Sequence, residues 1–323
     1  HNLHQSDAST TSQCFQLAFS SSACQTTCTV HAGEGFFFAT ALPLSLFTMI
    51  SAFQKDDALL ADIQAANGDD LHLWWLGQSG FLLKQDGAFV LIDPYLSDSL
   101  TLKYAATDKP HVRMTERCLA PERLAFVKLV LSSHQHTDHF DEATLSALGN
   151  YTLLTPAALE GKAQQRLPRA GIEWIGVNDG DHVERHGWII RPLLAAHNDI
   201  VRDEIGQSHY LGFVVRRNGF TVYHSGDTLW HEQLLPSLLE CQPDIAIVPI
   251  NGNKPERRVA GNLNGTEAAA LAKACGAKVA VPHHFDLFEF NTESPDEFVS
   301  ACARLNQTQH VLRCGERLSY ASR

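Results

Sequence analysis

One stretch constrains this chain more than any other. Ser133-His134-Gln135-His136-Thr137-Asp138-His139 packs three imidazoles and a carboxylate into a single short loop. It follows the apolar run Lys128-Leu129-Val130-Leu131-Ser132-Ser133, which reads as a strand. A loop at a strand end splays alternate side chains toward one point. His134 and His136 would then face one metal ion, and Asp138 and His139 a neighbouring one. Neutral imidazole with carboxylate suits Zn, Mn or Fe. For one histidine a solvated polar loop is the plainer reading. Ligand-type residues at this density and spacing favour a metal.

The surrounding pattern gives that loop a scaffold. Residues 71–77, 81–85 and 88–93 read as strands, with Asp86-Gly87 as the two-residue turn of a hairpin. A short helix at Asp141–Leu148 follows the histidine loop. Further on, residues 188–196, 211–217, 220–225, 244–250 and 278–282 read as strands. Helices are expected at Leu234–Leu239, Glu267–Cys275 and Pro295–Leu305, the middle one with Asn264 and Glu267 as a capping box. Strand-rich halves mixed with amphipathic helices predict an α/β fold of two packed mixed sheets with helices outside.

Composition removes several alternatives. With 25 Lys and Arg against 36 Asp and Glu, the net charge is −11, so no nucleic-acid partner is expected. The 8 Cys form no C-x-x-C pair and read as free thiols of a cytoplasmic protein. Residues 1–48 differ from the rest: no Lys or Arg, two acids (Asp7 and Glu34), and three of the cysteines. They read as an atypical extension or non-native leader, with Met49 as the true start and 49–323 as the domain that carries function. The uncharged run 36–53 raises an anchor or signal as the other reading, against which stand Pro43 and the lack of a basic segment before it. A membrane partner is not expected unless that segment is native.

The chemistry-bearing residues resemble the signature of metallo-β-lactamase-fold hydrolases, and the likeness runs over roughly residues 70–290. The resemblance implies an αββα sandwich. It also implies that His197 in Leu-Leu-Ala-Ala-His is the third histidine of the first metal, that Asp227 in Ser-Gly-Asp-Thr bridges two metals, and that His284 is the last ligand. Asp93 in Leu-Ile-Asp-Pro would support the histidine loop. The segments 74–81, 223–228 and 276–286 are similar to the L-ascorbate-6-phosphate lactonases, although His283 stands where that family has an aromatic residue. The oxygen-reducing diiron branch has Glu in the place of His136. True β-lactamases usually lack the bridging aspartate. Glutathione-binding and tRNA-gripping segments of other branches are not recognisable.

On this resemblance, His134, His136 and His197 hold one ion, Asp138, His139 and His284 a second, and Asp227 bridges. The cofactor is one or two divalent ions, Zn or Mn ahead of Fe. A metal-bound water or hydroxide would be the nucleophile, with Asp138 and Asp227 the catalytic carboxylates. The expected reaction is cleavage of an ester or lactone of a small anionic substrate; the alternative is a phosphodiesterase acting on a phospholipid or nucleotide. Lys254, Arg257 and Arg258, in the loop after residues 244–250, are the candidates to receive an anion, with His231 and His283 as further pocket residues. His224 reads as a packing residue, and Gln78 as a turn residue that could face the site, although a turn role suffices for it. A homo-oligomer is compatible with all of this.

Overall fold

Leu71, Leu73 and Trp75 point to one side of their strand, Trp74 and Leu76 to the other, and both sides are buried. The same division recurs at Phe81 and Leu83 against Leu82, and at Val90 and Ile92 against Leu91. Successive side chains of a strand face opposite ways, so strands apolar throughout must be covered on both faces. The computed structural model, which describes residues 49–321, shows what covers them.

The first sheet contains β1 (Leu71–Gly77), β2 (Gly80–Gln85), β3 (Ala88–Ile92), β4 (Leu129–Leu131), β5 (Tyr151–Pro156) and β6 (Ile172–Val177). The second contains β7 (Val183–Arg185), β8 (Trp188–Leu194), β9 (Leu211–Arg217), β10 (Phe220–His224), β11 (Ile245–Pro249) and β12 (Val279–His283). The last strand, β13 (Arg317–Tyr320), returns to the first sheet. The orders are β13-β1-β2-β3-β4-β5-β6 and β12-β11-β10-β9-β8-β7. Each sheet is mixed: β3 to β6 pair in parallel, as do β10 to β12, while the remaining pairs are antiparallel.

Between the sheets, Trp75, Phe81 and Leu131 share one apolar cluster with Trp188, Phe213 and Val222. Helices Leu234–Cys241, Gly265–Ala274 and Asp296–Leu305 join that cluster through Leu238, Leu271 and Phe298. On the far face of the first sheet, Trp74, Leu82 and Val130 meet Leu59 and Ile63 of helix Asp56–Ala65 and Leu145 of helix Glu142–Ala147. The layers are therefore helix, sheet, sheet, helix.

Local chemistry follows the residue types. Asp86 and Gly87 both have positive φ, as a two-residue turn joining Gln85 to Ala88 requires. The Asn264–Glu267 capping box is formed in both directions. Several expected boundaries shift by one or two residues; β4 ends at Leu131, not Ser133, because the Ser133 N–H leaves the ladder and donates to Asp93 Oδ1 at 2.7 Å. Helices Asp56–Ala65, Ser99–Tyr104 and Glu160–Arg166 and strands β5, β6, β7 and β13 were not expected from the sequence. The described residues belong to one compact unit. Among the described residues no helix is long and apolar enough to cross a membrane; most of the apolar run 36–53 lies outside them.

Candidate metal centre

Every candidate ligand sits just beyond the C-terminal end of a strand. His134, His136, Asp138 and His139 follow β4, His197 follows β8, Asp227 follows β10 and His284 follows β12. Both sheets thus deliver ligands to one edge of the sandwich. The backbone there is bent at unusual places. Gln78, Asp93, Asn198 and His284 all have positive φ without being glycine. Such conformations persist where the surroundings over-determine them, and they concentrate at functional sites. At His284 (φ +62°) the turn separates it from its neighbour: His283 stays in β12 while His284 swings toward the histidine loop.

Three sets of donor atoms converge: His134 with His136 and His197, His134 with His139 and Asp227, and Asp138 with His139 and His284. Asp227 lies between the sets. Its Oδ1 is 3.3 Å from His139 Nε2, and its Oδ2 is 3.6 Å from His197 Nε2 and 3.5 Å from His284 Nε2. Asp138 Oδ2 is 3.6 Å from His139 Nε2 and 3.5 Å from His284 Nε2. These distances are long for hydrogen bonds. They match the roughly 3.4 Å edge of a tetrahedron whose corners lie about 2.1 Å from a central ion.

The far side of three of these rings is tied down. His139 Nδ1 faces Asp93 Oδ2 at 2.7 Å, His134 Nδ1 faces Ser133 Oγ at 3.0 Å, and His197 Nδ1 faces Gly261 O at 3.1 Å. Partners on Nδ1 leave Nε2 as the donor aimed inward. Buried His134 Nε2, His139 Nε2 and Asp227 Oδ1 have no hydrogen-bond partner. Buried polar atoms without partners are costly, and a cation at their meeting point would satisfy all of them. The donor set therefore fits divalent metal. Asp93, expected as a support, also accepts from Ser133 Oγ at 2.6 Å. Gln78 does more than turn the chain: its Nε2 donates to Asp138 Oδ2 at 2.9 Å. Tyr210, which the sequence reading missed, places its ring 5.4 Å from His134, 6.2 Å from His136 and 5.5 Å from His197.

Charge is arranged in the same sense. Burial pushes His134 and His197 below the ordinary histidine range. Burial also opposes charge on His284, but Asp227 and Asp138 outweigh it and raise this imidazole to about 9. His139 is likewise raised against burial by Asp227, Asp138 and Asp93. Without metal, protons on His284 and His139 balance the carboxylates. A metal ion needs neutral imidazole, so its uptake at neutral pH should expel protons, and the share that comes from His284 should fade as the pH rises past about 9. An indicator dye in weakly buffered solution measures this; metal binding without proton release at neutral pH would contradict it.

Above the cluster opens a cavity of about 660 Å³ whose wall includes His136, Asp138, His197, Asp227 and His284. The residues expected to receive substrate do not line it. Lys254 and Arg257 both pair with Glu293, and Arg257 also donates to Asn251 O at 2.6 Å. Arg258 pairs with Asp108. His231 faces Leu194 O at 3.1 Å. His283 is fully buried between Ser79 Oγ (2.9 Å) and Ser225 Oγ (3.1 Å), stacked on His224 at 5.0 Å. Acidic or carbonyl partners distant in sequence claim each of the cations. The wall instead carries Lys103, Lys109, His111 and Arg166.

Known proteins with this architecture agree with the chemistry. A beta-lactamase superfamily domain is matched over residues 89–285. A UPF0173 metal-dependent hydrolase of Methanoregula boonei is 31% identical over 238 residues, covering 72% of this chain and 90% of the relative. Its counterpart in Thermoplasma acidophilum is 25% identical over 230 residues, 71% and 90% of the two chains. Among solved structures, a metallo hydrolase of Ignicoccus hospitalis superposes with TM-score 0.59 at 21% identity, covering 79% of this chain and 100% of that one. A metallo-beta-lactamase fold protein of Bacillus subtilis gives 0.57 at 16%, covering 78% and 100%. This chain belongs to the beta-lactamase superfamily and, within it, to the UPF0173 metal-dependent hydrolases.

Proposed function

We propose that this metal-dependent hydrolase cleaves an ester or lactone of a small anionic substrate. The observation that carries the hydrolytic part is the convergence of seven donor side chains, with His134 Nε2, His139 Nε2 and Asp227 Oδ1 buried and otherwise unsatisfied. One or two divalent ions held by His134, His136 and His197 and by Asp138, His139 and His284, with Asp227 between, would supply Lewis acidity and a water acidic enough to attack at neutral pH. The protein's own groups do the rest. Gln78 fixes the Asp138 carboxylate, and Asp93 fixes the His139 ring.

The substrate class rests on the cavity. Its volume suits a small molecule, roughly the 300–1,000 Å³ of ordinary ligand sites. Lys103 Nζ donates to Thr137 Oγ1 at 3.2 Å and Lys109 Nζ to Arg258 O at 2.6 Å. Neither ammonium meets a carboxylate among the described residues, whereas Arg166 is engaged by Glu142. Two cations held by neutral oxygens favour an anionic group on the substrate. The likeness to L-ascorbate-6-phosphate lactonases points the same way.

Zn- or Mn-loaded protein should therefore hydrolyse mono-para-nitrophenyl adipate with a lower KM than neutral para-nitrophenyl butyrate. Lys103→Ala and Lys109→Ala should each raise the KM for the adipate, on the order of tenfold, and spare the butyrate. Turnover of bis-para-nitrophenyl phosphate without any ester or lactone would replace this reading with the phosphodiesterase one.

The domain assignment is part of the same proposal: residues 49–323 act alone and 1–48 are dispensable. Ile50 N donates to Met114 O at 2.7 Å, and helix Asp56–Ala65 seals the outer face of the first sheet. A chain starting at Met49 keeps both. It should be soluble, bind metal and turn over at the full chain's rate. Insolubility or loss of activity would move the boundary.

A further inference from the structure

His111 lines the cavity but belongs to none of the ligand sets. Its Nδ1 lies 2.9 Å from the Lys109 carbonyl oxygen. A carbonyl only accepts, so Nδ1 carries the ring proton and Nε2 keeps its lone pair. Among the described residues Nε2 has no hydrogen-bond partner. The ring is held in place by three others: Tyr104 at 4.7 Å, Phe288 at 5.3 Å and Phe290 at 5.2 Å. The backbone just after it is stitched to the loop that follows His284. Met114 N donates to Leu287 O at 2.8 Å and Glu289 N to Val112 O at 2.9 Å. His111 is thus fixed relative to the Asp138–His139–His284 subsite.

The other titratable groups on the wall that are not candidate ligands are Lys103, Tyr104, Lys109, Glu142 and Arg166. Lysine, arginine and tyrosine side chains ordinarily titrate far above neutrality, and Glu142 is tied to Arg166. His111 is left as the wall's neutral-pH proton carrier. Burial lowers its pKa, the Lys109 carbonyl and Asp138 oppose this, and His284 and Lys103 add to the lowering.

We propose that His111 is a catalytic residue whose Nε2 relays a proton from the attacking water to the leaving oxygen. This rests on the ester or lactone reading above. As the water oxygen bonds to the carbonyl carbon, its proton passes to Nε2 and the carbonyl π pair moves onto its own oxygen. When that pair returns, the bond to the leaving oxygen breaks with its electrons, and Nε2 hands that oxygen the proton. Ester and water become acid and alcohol, and the ring ends as it began. An alkoxide needs this proton far more than a nitrophenolate does.

The test compares mono-para-nitrophenyl adipate with monoethyl adipate on Zn-loaded protein and on His111→Asn, whose amide N–H can still reach the Lys109 carbonyl. Expected is a loss for both esters, since each needs the water's proton taken, and a loss on the order of tenfold larger for the ethyl ester, which also needs that proton returned. Equal losses for both esters, or none, would overturn the role of His111 while leaving the hydrolase reading standing. A wild-type protein that cleaves neither ester overturns that reading, and this role with it. Independently of turnover, nitrogen-15 NMR should show His111 as the Nδ1–H tautomer at neutral pH, and diethyl pyrocarbonate should modify it in the Zn-loaded protein. The opposite tautomer, or a ring that resists modification, would also overturn the proposal.

Discussion

Asp227→Ala is expected to lower turnover by on the order of a hundredfold or more, to lower metal content, and to leave the circular dichroism spectrum unchanged. The carboxylate approaches three imidazoles from three different segments, and its Oδ1 has no hydrogen bond. It thereby reaches a member of each ligand set. The turn that carries it should survive. Gly226, at φ +58°, stays in place where a Cβ would come within 2.6 Å of Leu211 O. Ser225 Oγ still donates to Gly226 O at 2.6 Å, and Gly226 N to His224 Nδ1 at 3.1 Å. A well-folded variant with near-normal rate and metal content would show that Asp227 shapes the turn and does not serve the metals.

The adjacent histidines should part company as sharply. His284→Ala removes a donor 3.5 Å from both Asp138 and Asp227, so it should empty one subsite and cut turnover by on the order of a hundredfold. His283→Phe should keep metal and most of the rate. Its ring faces Ser79, Ser225 and His224, away from the cavity. Ser225 Oγ retains its bond to Gly226 O, but Ser79 Oγ loses its ring partner, so a stability cost of about 1–3 kcal/mol is expected for an unpaired buried hydroxyl. Metal stoichiometry, steady-state kinetics and thermal unfolding on both variants decide the matter. Metal loss in His283→Phe with retention in His284→Ala would shift the register by one residue.

The histidine loop stood out because its residue types are unusual together and follow an apolar strand, whereas His197, Asp227 and His284 were singled out only through the resemblance to metallo-β-lactamase-fold hydrolases. Two packed sheets with helices outside were legible in the strand-rich halves mixed with amphipathic helices, and the resemblance supplied the αββα order. What the sequence hid depends on contacts between distant segments. Lys254, Arg257 and Arg258 stood out as a basic run, but Glu293 and Asp108 claim them. Lys103, Lys109 and His111 lie in a stretch with no periodic pattern, and only its pairing to residues 287–289 brings them over the centre. Strand β13 is short and half-polar, and it owes its place to β1, far earlier in the chain. Gln78 was read as a turn residue, which it is at φ +50°; its amide reaches Asp138 only because β1 and β4 lie in one sheet.

The most direct test of the centre is elemental analysis of protein purified without exposure to chelator, paired with the same analysis on Asp227→Ala. Expected are one to two equivalents of Zn, Mn or Fe per chain in the wild type, less in the variant, and ester hydrolysis that chelation abolishes and added metal restores. A wild-type chain that contains no transition metal, and gains neither bound metal nor activity when metal is supplied, would contradict the metal centre itself.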